Sequence, residues 1–269
     1  MNMKKINLKE IEVIEYHYLK KYFHFLKFAE DELLLGFKTK EKIKDDWIGL
    51  YKSGISDFAV GAERIVYSLL NGKGIGLPNS APVGADLFFE VENAFIHLDL
   101  KTVGATLHPR YHNHPDGTWS NNIGDYTNNI FVGTNQNSYK SEIKKSDGSS
   151  FNPPRYYEPS LPAFYNKNKA NQKICISYFI TILYDKDTLD ILVLSILCMP
   201  NGELERHYKS RVLQAGKNID KTRFRFTEVP TFELLNDTPN RIMVVYFDKS
   251  MDESYRSKLE FFEKLYDNQ

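Results

Sequence analysis

Cysteine is scarce, with two residues in 269, Cys175 and Cys198, and both sit inside apolar runs. A disulfide framework is excluded, and the two read as buried thiols of a reduced compartment. Excess charge is missing as well: 35 Lys and Arg balance 35 Asp and Glu. A nucleic-acid binder with this balance has to segregate its basic residues locally. Long apolar runs are absent: the longest, around "DILVLSILCM", is too short to span a bilayer. The start, "MNMKKINLKE", lacks the apolar core of a signal peptide, so the expectation is a soluble, cytoplasmic protein. "GKGIG" at 72–76 lacks the Gly-Lys-Ser/Thr ending of a phosphate loop and follows a helical pattern, which argues against nucleotide binding there. No spacing supports a Ser-His-Asp or Cys-His arrangement, and no internal repeat stands out.

What is present is an apolar fraction of 42%, enough for a substantial core, and aromatic residues at 14%, mostly Tyr and Phe. Residues 7–35 predict one long helix, opened by a capping box of Asn7 and Glu10, with an apolar stripe through Ile11, Ile14, Tyr18, Tyr22, Phe25, Ala29 and Leu33. A second helix is expected over 40–52, and a third from Ser56 or Asp57 to Asn71-Gly72. Strands are expected at 86–91 and 95–102, then in "KICISYFITILYD", "LDILVLSILCMP", "KTRFRFTEV" and "RIMVVYFD", before a closing helix over 252–266. Residues 105–160, rich in Asn, Gly, Pro, Ser and Tyr, read as a long loop region, of a kind commonly functional or mobile. The whole reads as a single mixed α/β domain over 1–269, with a helical part at 1–72.

The chemistry concentrates in "VGADLFFEVENAFIHLDLKTVG", residues 83–104. Side chains alternate along a strand, so Phe95, His97, Asp99 and Lys101 share one face and Ile96, Leu98 and Leu100 the other, apolar face. A reversal at Glu92-Asn93 sets Asp86 directly opposite Asp99, with Cβ atoms roughly 5 Å apart. Two carboxylates at that range repel unless a cation lies between them, and an oxygen-only set suits Mg²⁺, with Mn²⁺ as a substitute. Lys101 stands roughly 6 to 7 Å further along the same face, within reach of a water or phosphate at that ion. Such a set suits phosphodiester hydrolysis. Glu63, in the preceding helix, is a candidate further acid. The same triplet on an ordinary exposed hairpin would be a set of surface charges.

These residues resemble the PD-(D/E)xK nucleases, whose acid, spacer and acid-x-Lys triplet occupy a β-hairpin. "GAD" ending at Asp86 departs from the "PD" pattern in its first letter, while "DLK" at 99–101 matches. The likeness is closer to type II restriction endonucleases of the BglI kind, through "IGLP" at 75–78, "VGAERIV" at 60–66, "LDLKTVG" at 98–104, "AGKNIDKTRFRF" at 215–226 and "RIMVVYFDK". The resemblance implies a restriction-endonuclease-like central mixed β-sheet flanked by helices. Its catalytic hairpin would lie at 84–104 and a recognition part at 170–249; the 105–160 region is not matched, and its amides and tyrosines read on composition as a DNA-facing or dimer element. The resemblance implies a homodimer, or a tetramer, that cuts double-stranded DNA at an interrupted palindrome with Mg²⁺, beside a cognate DNA methyltransferase. By motif position, Asp86, Asp99 and Lys101 inherit catalysis, with Asp86, Asp99 and Leu100 as the metal set. Lys217, Arg223 and Arg225 inherit base contacts, with Asn218 or Asp220 on the cytosine side. The family's paired acids are not reproduced there. The residues alone place Arg223 and Arg225 on one strand face and Phe224 and Phe226 on the other, so the arginines can grip guanine edges or simply form a solvated basic face.

"HPRYHNHPDG" holds His108, His112 and His114 at a spacing that could bind a transition metal, but its prolines break the helix a zincin needs. A DNA-contacting loop, with Arg110 or His112 near phosphate, suits its place after Lys101 better. His97 could line the site or pack beside it. The rival readings are a structure-specific repair or recombination nuclease, a non-catalytic DNA-binding protein, and a zinc hydrolase built on the His108–His114 loop.

Overall fold

Two long strands organise the structure. "KICISYFITILYD" forms a strand over Lys173–Asp185, and the pattern before it forms another over Ala94–Ala105; the two run parallel, side by side. The computed structural model describes residues 7–37, 65–70, 76–79, 86–105, 126, 142–145, 147–156, 161–185, 188–202, 213–215, 224–226 and 241–269. The expected helix at 40–52, the start of the third helix and the "GKG" turn lie outside these. The end of that third helix is present, as a helical stretch over 65–70.

In chain order the described strands are β1 Leu77–Asn79, β2 Leu87–Glu90, β3 Ala94–Ala105, β4 Glu142–Lys144, β5 Ser150–Tyr156, β6 Phe164–Tyr165, β7 Lys173–Asp185, β8 Ile191–Met199, β9 Leu213–Ala215, β10 Phe224–Phe226 and β11 Ile242–Phe247. A central sheet runs β1-β2-β3-β7-β8-β11, with β6 pairing onto β7. Only the β3–β7 pairing in it is parallel, so the sheet is mixed. β7 and β8 are apolar at nearly every position because both of their faces are covered.

Helix α1, Leu8–Phe28, covers one face. Asn7 and Glu10 form the expected capping box. Leu19, Tyr22 and Leu26 pack with Ile96, Leu98 and Ile180 in one core. The helix is shorter than expected: it stops at Ala29, and a further helical stretch resumes over 30–37. Leu33 and Phe37 of that stretch lie in the same core. The closing segment is likewise divided, into α2 Glu253–Arg256, a 3₁₀ turn Ser257–Leu259 and α3 Glu260–Asp267. Its Leu259 and Phe262 cover the opposite face of the sheet, over Phe179, Leu197 and Val244. Among the described residues no helix is long and apolar enough to cross a membrane.

The expected loop over 105–160 is not all loop. It carries β4 and β5, which pair antiparallel and belong to a second sheet ordered β10-β9-β4-β5. Asp147-Gly148 makes the reversal, with Gly148 at φ +82° where a side chain would be strained. β5 contains Pro153 and Pro154, which a strand tolerates at the sheet edge it occupies. The expected strand "KTRFRFTEV" is described only over Phe224–Phe226.

Candidate active site and nucleic-acid interface

The hairpin register follows from period-two alternation joined by a two-residue turn. Leu87 pairs with Leu98, Phe88 with His97, Phe89 with Ile96 and Glu90 with Phe95. The reversal falls at Glu92-Asn93, closed by the Val91 amide donating to the Ala94 carbonyl at 2.9 Å. One step before β2, Asp86 continues this register: its amide donates to the Leu98 carbonyl at 3.0 Å. The hairpin is tied down at its turn. The Tyr18 hydroxyl on α1 donates to the Asn93 side chain at 2.8 Å, and Lys173 of β7 donates to Glu90 at 2.7 Å and to the Val91 carbonyl at 2.6 Å.

Asp86 and Asp99 come together at the open end of this hairpin. The Leu100 amide donates to Asp86 Oδ2 at 2.6 Å, while the two carboxyl groups hydrogen-bond to each other. Asp99 is 5% exposed and paired with the Lys101 ammonium. Burial, chiefly, pushes the Asp99 carboxyl up to about 7; the Asp86 contact and charge push the same way, and Lys101 opposes them. Among the described residues no third His, Cys, Asp or Glu joins Asp86 and Asp99. Leu100 lends a different group: the amide and carbonyl of one strand residue point to the same side, so its carbonyl faces the side on which Asp86 holds its amide.

His97 shares the face of Asp99 but packs rather than opens to the site. It is 1% exposed, lies against Phe88 at 4.6 Å between ring centroids, and its Nε2 is 3.2 Å from the Tyr165 hydroxyl. Burial pushes its imidazole down to about 4, which keeps it neutral. Beyond Lys101, Thr181 is its register partner on β7 and Ser195 the next on β8. The Thr181 and Ser195 hydroxyls stand 2.6 Å apart, and the buried Tyr126 hydroxyl meets them at 3.2 and 3.0 Å. Sequence reasoning missed this hydroxyl trio; strand alternation could have put Thr181 and Ser195 on the active face, but nothing pointed to Tyr126.

Of the expected DNA-contacting residues, Arg225 lies mid-strand in β10, paired with Gln214 of β9. Glu63, Arg110, Lys217, Asn218, Asp220, Arg223 and the histidines 108, 112 and 114 lie outside the described residues.

The family model for the N-terminal domain of the type II restriction enzyme MwoI matches residues 7–188, and the one for its central domain matches residues 191–247. The chain belongs to the MwoI family of type II restriction enzymes. It is thus a type II restriction endonuclease, a site-specific deoxyribonuclease that cleaves DNA in a sequence-dependent way. Two solved structures share the fold of this MwoI-family chain. The tetrameric restriction endonuclease SfiI bound to cognate DNA superposes with a TM-score of 0.61 at 15% identity, covering 91% of this chain and 88% of that one. The restriction endonuclease BglI bound to its DNA recognition sequence gives 0.58 at 16% identity, covering 88% and 91%. No curated protein matches the chain. The expected fold class, a central mixed sheet flanked by helices, agrees with these structures.

Proposed function

We propose that Asp86, Asp99 and Lys101 form the hydrolytic centre of this endonuclease and that Mg²⁺, with Mn²⁺ as a substitute, is its cofactor. The observation that carries the reading is the meeting of the Asp86 and Asp99 carboxyl groups across the hairpin, with Lys101 paired to Asp99. The donor set fits the ion: two hard carboxylates joined by a main-chain carbonyl at Leu100 are what Mg²⁺ favours, with water and a phosphate oxygen for the rest. A bound divalent ion would neutralise charge on the scissile phosphate and lower the pKa of a bound water. Asp86 and Asp99 would orient that ion. The Lys101 ammonium, held by Asp99 beside the phosphate's place, would stabilise negative charge as it develops in the transition state. Glu63 stays a candidate further acid.

Recognition in this reading falls to the segment around β10. Arg223 and Arg225 would donate to guanine edges, with Lys217 beside them, Asn218 or Asp220 on the cytosine side and Arg110 near phosphate. The working unit would be a homodimer whose two-fold axis matches that of an interrupted palindrome, or a tetramer built from such dimers. In the cell a cognate DNA methyltransferase would protect host sites.

Plasmid and bacteriophage DNA incubated with the protein and MgCl₂ test the proposal. Discrete, reproducible fragments are expected with wild type and none with Asp99→Asn. Loss of several kcal/mol of transition-state stabilisation corresponds to a drop of about a thousandfold or more. Fragments from Asp99→Asn at the wild-type rate would remove Asp99 from catalysis.

A further inference from the structure

One row of the central sheet is polar where the rows beside it turn apolar. On the face that carries Asp99 and Lys101, rows run from β3 across β7 to β8. Asp99 is followed by Phe179 and Leu197, and Val103 by Leu183 and Val193. Between them, Lys101 is followed by Thr181 and Ser195, two hydroxyl residues 6% and 0% exposed. Phe179, Leu183, Val193 and Leu197 belong to the core under the C-terminal helices. Tyr126 joins the same core, against Phe262 at 5.0 Å between ring centroids, and adds its hydroxyl to the polar row. Val, Ala and Phe would fill these three places with nearly the same shape and no polar atom. Exchanging hydrogen-bonded partners in a core for apolar groups of the same shape is near neutral or stabilising. Stability therefore gives little reason for the hydroxyls, whereas their place beside Lys101 gives one.

We propose that Thr181, its hydroxyl oriented by Ser195 and Tyr126, is a positioning residue for the reaction: it accepts from the Lys101 ammonium and keeps that ammonium aimed at the scissile phosphate. This role rests on the reading of Lys101 as part of the hydrolytic centre. Register partners on neighbouring strands stand roughly 4.8 Å apart and point to one side of the sheet, which puts Thr181 within reach of the lysine side chain.

Donors and acceptors match across this boundary. A hydroxyl has one proton to donate and two lone pairs to accept with. The contacts Thr181–Ser195 at 2.6 Å, Ser195–Tyr126 at 3.0 Å and Tyr126–Thr181 at 3.2 Å close a cycle in which each hydroxyl donates once and accepts once. Burial pushes the Tyr126 phenol up to about 12, so it keeps its proton near neutral pH. Inside the cycle the Thr181 proton is engaged, and the group turns only an acceptor outward. An ammonium carries three donors and no acceptor, so it is the complement of such a group. Asp99 takes one of those donors. In the hydrolytic reading the same carboxylate also serves a metal ion, and a second acceptor fixes the ammonium when the first is shared. Without Ser195 and Tyr126, the Thr181 hydroxyl would be free to turn its proton toward Lys101 and oppose it.

Two substitutions at one position separate positioning from packing. Thr181→Val keeps the shape and removes the hydroxyl; Thr181→Ser keeps the hydroxyl and removes a methyl group. Three quantities are measured for wild type, both variants and Lys101→Met: the single-turnover cleavage rate with MgCl₂ on a plasmid that wild type cuts, DNA affinity without metal, and the melting temperature. Thr181→Val is expected to cut about tenfold or more slowly, with melting temperature and metal-free DNA affinity close to wild type. Thr181→Ser is expected to melt lower and yet cut within about threefold of wild type. If Thr181→Val does not fold, the triple variant Thr181→Val, Ser195→Ala, Tyr126→Phe takes its place, with the same slowing expected at a melting temperature no lower than wild type. Thr181→Val cutting at the wild-type rate beside an inactive Lys101→Met overturns this inference alone. So does Thr181→Ser cutting as slowly as Thr181→Val, or a slowing matched by an equal loss of metal-free affinity. Failure of both Thr181→Val and the triple variant to fold assigns the hydroxyls to stability and likewise overturns it. A wild type that cuts no DNA with MgCl₂, or Lys101→Met cutting at the wild-type rate, overturns the hydrolytic reading and this inference with it.

Discussion

Two buried acids of this chain meet opposite fates. Glu15 on α1 is 2% exposed, and Asp99 on β3 is 5% exposed. Glu15 is supplied with donors: the Asn201 amide at 2.6 Å and the Arg241 guanidinium at 2.9 Å. Its backbone carbonyl also accepts from the Tyr178 hydroxyl at 2.7 Å. Asp99 has a lysine, but it also faces a second carboxylate, and its proton is held up to about 7. One acid is surrounded by donors within the protein. The other faces a second acid as well as its lysine. Burial by itself therefore says little about an acid's task; the sign of its neighbours separates a structural carboxylate from one awaiting a ligand.

Disturbing the charges around each acid should break the comparison in opposite directions. The largest effect on stability is expected at the structural pair. Arg241→Met leaves Glu15 buried without its cation and should cost about 3–5 kcal/mol in urea unfolding. The double variant Glu15→Leu with Arg241→Met should recover much of that loss, because neither charge then needs a partner. Asp99→Asn, by contrast, should leave the metal-free protein as stable as wild type or more so, since it removes a repulsion. A large destabilisation by Asp99→Asn would erase the distinction drawn here.

The pH dependence sharpens the same contrast. The folded-state value of about 7 for Asp99 lies above the ordinary carboxylate range of about 4. The folded protein thus holds a proton that the unfolded chain has released in between. This group's contribution favours folding most at or below about pH 4, is lost as pH rises, and is gone above about 7. Thermal melts of metal-free protein should show that decline, MgCl₂ should oppose it near neutral pH, and Asp99→Asn should abolish it. A smaller effect is expected at the turn: Tyr18→Phe removes the 2.8 Å bond to Asn93 and should cost about 1 kcal/mol, with a modest loss of cleavage as the hairpin loosens.

The hairpin was legible in the sequence because period-two alternation and a two-residue reversal leave one register that buries Ile96, Leu98 and Leu100 together. The capping box at Asn7 and Glu10 was legible because it is local. Glu15 was not: it lies in a helix that otherwise reads as amphipathic, and its partner Arg241 is 226 residues away. β4 and β5 were hidden by Ser, Asp, Gly and two prolines, a composition that reads as loop when strand edges are not in view, although Asp147-Gly148 is a recognised hairpin signal. The two breaks, at Ala29 and at Ser257–Leu259, carry neither glycine nor proline, so nothing local announced them.

The most direct test is a calorimetric titration of MgCl₂ into wild-type, Asp86→Asn and Asp99→Asn protein at neutral pH with cognate DNA present. Binding is expected in wild type and lost in both variants, because each removes one of the two carboxylates that meet across the hairpin. Wild-type affinity retained in either variant would contradict the account.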